Sequence, residues 1–183
     1  MIFTIPAGKH RARPIRFGLW WRRTHFSWVV RFDESCKYYL GKVDQLDVNK
    51  LVGIGYLSRP RVIVTRYFNR FWFWGLKPMH WTDGARFGWR YSAEKDKIEI
   101  MAYCYIDGEQ IIDHLADAFI GESYMLKIEV VKTGYWLTVK GPGYTAEKIY
   151  RHNHNKRLQY RLGLYFGGNQ KAPHQMTVKI EKT

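Results

Sequence analysis

The 183 residues are 46% hydrophobic and 17% aromatic, enough apolar material for one sizeable core, which excludes a disordered chain and favours a single domain over 1–183. Thirty Lys and Arg against 16 Asp and Glu leave a net charge of +14, a balance that suits protein partners with acidic surfaces, an acidic glycan, nucleic acid or an anionic membrane. No apolar run reaches the roughly 20 residues of a transmembrane helix, and residues 1–10 lack the apolar stretch of an export signal, so the expected setting is the cytoplasm or a virion assembled there.

In chain order, residues 1–32 hold seven basic side chains and no acid. Within them, 25–32 alternates Phe26, Trp28, Val30 and Phe32 on one face, the period of a half-buried strand. Residues 44–51 carry a helical hint. Gly53-Ile54-Gly55 looks strand-like and lacks the further glycine and Lys-Ser/Thr of a phosphate-binding loop. Residues 96–107 alternate again, with Ile98, Ile100, Ala102, Cys104 and Ile106 to one side, and Asp107-Gly108 is a hairpin turn signal. Residues 109–119 are ambiguous, because Ile111, Ile112, Leu115 and Phe119 also fit one helix face. Strands follow over 125–131, 135–139, 158–166 and 175–180, separated by Gly-, Pro- and Asn-containing turns. This rhythm predicts an all-β fold, a two-sheet antiparallel β-sandwich.

One stretch departs from the rhythm. Residues 59–82 hold Tyr67, Phe68, Phe71, Trp72, Phe73, Trp74 and Trp81 interleaved with Arg59, Arg61, Arg66, Arg70 and Lys77. An extra loop or hairpin is expected here, either burying one aromatic face or presenting rings and guanidinium groups to a partner. Arg66, Tyr67, Arg70, Phe71, Trp72, Phe73, Trp74 and Trp81 are therefore candidate binding residues.

Catalytic signatures are sparse. The two cysteines, Cys36 and Cys104, offer no metal spacing and at most one disulfide. His152-Asn153-His154 would share a strand face, but Arg151, Lys156 and Arg157 repel a cation, and a basic turn with surface histidines is the expectation. Glu99 has no carboxylate neighbour at strand spacing for glycosidase work and is expected to be solvated. No metal, cofactor or catalytic residue is assigned from these patterns.

Two resemblances add to this reading. Tyr160-Arg161-Leu162-Gly163-Leu164-Tyr165, with Asn169-Gln170, resembles the late strand of alginate-lyase-like polysaccharide lyases, which share a concanavalin-like jelly roll with many lectins and glucanases. The resemblance implies that Tyr165 and Gln170 border a cleft, and Asn169 beside them is a further candidate binding residue. Arg86-Phe87-Gly88-Trp89-Arg90 echoes the Arg-x-Glu-x-Arg strand of those enzymes, and their Gln-Ile/Val-His triplet is missing. The run 164–174, with residues 3–10 and 85–91, also looks like small uncharacterised proteins of Bacteroidetes and their phages. Together these favour a non-catalytic structural or adaptor module, for instance in a virion, whose partners are other protein subunits. A carbohydrate-binding module and a polysaccharide lyase or glycoside hydrolase on the same fold stand as alternatives.

Overall fold

The computed structural model describes residues 1–41, 43–57, 83–152 and 158–183, together with the backbone of 62–63 and 72–73. Sheet 1 holds, in spatial order, β1 (Ile2–Ile5), β14 (Met176–Lys182), β3 (His25–Phe32), β10 (Ser123–Val131), β11 (Gly134–Gly141) and β12 (Tyr144–Arg151). Sheet 2 holds β2 (Leu19–Trp21), β13 (Leu158–Leu162), β4 (Asn49–Tyr56), β7 (Gly84–Ser92), β8 (Lys97–Ile106) and β9 (Glu109–Ala118). All their pairings are antiparallel. Two short strands, β5 (Val62–Ile63) and β6 (Trp72–Phe73), pair with each other. Among the described residues there is no α-helix, and no helix long and apolar enough to cross a membrane.

The sheets pack because alternate residues on each strand are apolar. Phe26, Trp28 and Val30 of β3, Ile98 and Ile100 of β8, Leu164 and Val178 are all buried, as the alternation predicts. Phe32 of sheet 1 meets Trp89 of sheet 2 with ring centres 5.4 Å apart, and Tyr38 caps the same indole edge-on at 6.0 Å. Cys36 and Cys104 are both buried in this core as free thiols.

The departures from expectation have local causes. Residues 44–51 supply one turn of 3₁₀ helix, Asp44–Leu46, before β4 begins at Asn49. Residues 109–119 form the strand β9; the β8–β9 register shifts between Ile100 and Met101, and that irregularity breaks the period of two and imitates a helical spacing. β12 shows no apolar alternation in the sequence because it is a polar edge strand, with Tyr150 its one buried residue. The expected Asp107-Gly108 turn is present, with both residues at positive φ (52° and 88°).

Two polar residues sit otherwise than expected. Glu99 is buried, because the side chains of Arg90 and Lys95 close over it at 2.6 and 2.8 Å. His152 is likewise buried rather than exposed, held between Asp83 (2.6 Å) and Asp107 (3.5 Å).

Candidate functional site

The outer face of sheet 2 carries the site. Phe87 and Trp89 point into the sandwich, so Gly84, Arg86 and Gly88 of β7 point away from it. In register beside them stand Tyr105, Tyr103 and Met101 of β8, and on the other side Gly55 and Gly53 of β4. The outward glycines leave a low floor, and Gly53 must lack a side chain because a Cβ there would strike Arg86 and the β7 backbone.

Lys50 joins this face through an irregularity. Ile54 and Tyr56 of β4 are buried inward, and strict alternation would send Lys50 inward with them. The β4–β7 register shifts between Lys50 and Gly53, however, so that Lys50 pairs with Gly88 and Gly53 with Arg86. The extra residue turns Lys50 to the outside. Reciprocal backbone bonds of 2.8 and 2.9 Å then tie Lys50 to Tyr165, just beyond β13. The Lys50 ammonium lies 5.4 Å from the ring centre of Tyr103 and 5.7 Å from that of Tyr165. The Tyr165 ring stacks on His10 at 5.2 Å, and the imidazole Nδ1 lies 2.9 Å from the carbonyl of Phe166, to which it donates.

Lys50, Arg86, Tyr103, Tyr105 and Tyr165 border a groove of about 730 Å³, whose lining also takes in the inward-facing Phe3, Val52 and Ile180 and Arg161 beside Ile54. Its described lining includes five cations (Arg11, Arg16, Lys50, Arg86 and Arg161), four tyrosines (103, 105, 160 and 165) and no carboxylate. One Arg86 nitrogen donates to the carbonyl of Gly163 at 2.7 Å, while its buried Nε finds no acceptor among the described residues. Burial pushes the Arg86 guanidinium down to about 10, against the pull of the surrounding tyrosines. Burial, and then the neighbouring Arg86, also lower the Lys50 ammonium, with Asp47 opposing. The Tyr103 phenol is pushed up, first by burial and then by Tyr105, so it keeps its proton at neutral pH. The Gln110 amide donates to the hydroxyls of both Tyr103 and Tyr105.

Of the residues singled out in the sequence, Tyr165 lines the groove. Asn169 and Gln170 are exposed beyond it and do not belong to its described lining. The side chains of Arg66, Tyr67, Arg70, Phe71, Trp72, Phe73, Trp74 and Trp81 lie outside the described residues. Lys50, Tyr103 and Tyr105 escaped sequence reading, and Arg86 was noticed only as part of an echo. A usable signal was the set of glycines at outward positions, Gly53, Gly55, Gly84 and Gly88, which marks a face something approaches closely.

Two groups of metal-type donors exist among the described residues, Asp83 with Asp107 and His152, and Glu99 with His114 and Asp117. In the second, Arg90 and Lys95 already neutralise Glu99, which leaves it poorly suited to a cation.

No known family profile matches the chain, and no curated protein matches it, so the likeness to Bacteroidetes and phage proteins gains no support. Solved structures do resemble it. An alginate lyase from Klebsiella pneumoniae superposes with a TM-score of 0.58 at 11% identity over 87% of this chain and 59% of that one. This chain therefore spans less than two thirds of that enzyme's length. Alginate lyase AlyC3 gives a TM-score of 0.48 at 13% identity over 100% and 74% of the two chains. Chicken galectin 2 gives 0.35 at 11% over 89% and 97%. At such identity the first likeness, with its TM-score of 0.58, establishes the fold alone, a jelly-roll sandwich.

Proposed function

We propose that the groove on sheet 2 binds an acidic polysaccharide built of uronic acids and cleaves it by β-elimination. The observation that carries this reading is the lining itself: five cations and four tyrosines with no described carboxylate, and a buried arginine Nε with no acceptor among the described residues. A buried guanidinium N–H left unbonded costs about 1–3 kcal/mol, which a bound carboxylate would recover. Glycoside hydrolysis needs two carboxyl groups flanking the scissile bond, and the described lining supplies none.

Elimination suits the groups that are present. Arg86 neutralises the uronate carboxylate and so acidifies the proton on the adjacent ring carbon, C5. Lys50, whose ammonium is lowered, takes that proton in its neutral form. The electron pair of the C5–H bond becomes the C4–C5 double bond, and the bond from C4 to the glycosidic oxygen breaks. Tyr103, which holds its proton, protonates the departing oxygen. The products are an unsaturated uronate end and a new reducing end.

The test is incubation with alginate, polyglucuronate and hyaluronan while following ultraviolet absorbance of the new conjugated double bond. Absorbance that rises with the wild-type chain and is lost in Lys50→Met supports the reading. Binding of these polymers without any product would reduce it to a carbohydrate-binding module. Neither binding nor product would overturn it.

A further inference from the structure

We infer that the exposed strip 15–21 at the β2 edge of sheet 2 is a second part of the binding site, an aromatic platform for sugar units remote from the cleaved bond. This inference rests on the acidic-polysaccharide reading. Ile15 and Phe17 are each 77% exposed, Leu19 44% and Trp21 65%, so every second residue along the strip offers apolar surface to solvent. Alternation accounts for the pattern: between Leu19 and Trp21, Trp20 turns inward and meets the Phe26 ring edge-on at 5.1 Å.

Leu19 and Trp21 share the outer face of sheet 2. Leu19 lies opposite Tyr160, Tyr160 opposite Gly55, Gly55 opposite Gly84, Gly84 opposite Tyr105 and Tyr105 opposite Gln110. That row crosses all six strands of sheet 2, a path of about 24 Å at the usual strand spacing. Ile15, Arg16 and Phe17 line the groove, so the strip continues it without a break. A pyranose chain laid across the strands would leave the Arg86–Lys50 centre over Gly55 and Tyr160 and arrive at Leu19 and Trp21.

Charge selects the occupant. Residues 1–32 contain no acid, and Arg11, Arg13, Arg16 and Arg22 are all exposed around the strip. A second copy of this chain would bring the same cations against themselves, whereas a polyuronate brings a carboxylate on every sugar. The apolar C–H faces of the sugars suit the Phe17 and Trp21 rings, and the arginines suit the carboxylates.

The test is calorimetric binding of alginate oligomers of increasing length, in a Tyr103→Phe background so that the polymer is not consumed. The parent should bind longer oligomers more tightly, and Phe17→Ala with Trp21→Ala should remove about tenfold or more of that gain. Both side chains are exposed, so unchanged melting temperature confirms that the loss is local. Full length dependence in the double variant, with binding still weakened by Arg86→Ala, would overturn the platform and leave the groove reading intact. A change from dimer to monomer without any change in oligomer affinity would assign the strip to self-association instead. A parent that binds no oligomer at all would overturn both readings.

Discussion

Arg86 and Tyr103 stand directly opposite one another on β7 and β8, and the Gln110 amide grips the tyrosine hydroxyl from the neighbouring strand β9. A guanidinium that attracts a carboxylate and a phenol that retains its proton are thus held side by side on rigid strands. Arg86→Ala should therefore weaken polyuronate binding by roughly 10- to 100-fold, the worth of a charge-assisted hydrogen bond. Tyr103→Phe should instead spare binding and lower kcat by about 10²–10⁴, the usual share of a general acid. Separate KM and kcat measurements on the two variants check this division.

With Lys50 as the base of the proposed elimination, its titration should set the pH profile. Its ammonium is lowered from the ordinary 10.5 by burial and by Arg86, and only the neutral amine accepts a proton. Turnover should climb with pH along a limb centred below 10.5 and level off above it. A pH–rate profile with no such limb, or one that survives in Lys50→Met, would contradict the assignment.

Glu99 governs part of the acid stability. Burial alone would raise its carboxyl, but hydrogen bonds from Lys95 and Arg90 more than offset that and hold it below the ordinary 4.5. A carboxyl depressed in the folded state contributes stability that is present above the unfolded value and lost as pH falls through the folded one. Glu99→Gln should cost about 1–3 kcal/mol at neutral pH, and the difference from wild type should shrink below about pH 4.5. Urea melts at neutral and acidic pH measure it.

Both thiols should be inert in the folded protein. Burial pushes Cys36 and Cys104 up to about 12 each, and neither is exposed. A thiol-specific chromogenic reagent should label neither in native buffer and both in denaturant.

Much of the sandwich was legible because alternation survives wherever one strand face is buried. The span 25–32 coincides with β3, and 96–107 brackets β8 within a residue at each end. Legibility failed at the edges, where β12 has little apolar face to reveal it, and at the register shifts. The site was less legible still. Its cations and phenols come from β4, β7, β8 and the segment after β13, and only strand pairing makes them neighbours. The dense aromatic run at 59–82 drew attention by composition, while Lys50, Arg86 and Tyr103 are single residues inside ordinary strands.

The irregularity in β4 has a consequence for how such a groove could arise. Paired evenly over its present length, β4 would set Lys50 opposite Trp89 and turn its amine toward the core, whereas the extra residue between Lys50 and Gly53 sets it opposite Gly88 on the outer face. A β4 one residue shorter at Leu51 or Val52 would reach the same outward placement by plain alternation. The register of β4 against β7, and not the identity of any side chain, thus separates a sandwich with a lysine-bearing groove from one without it.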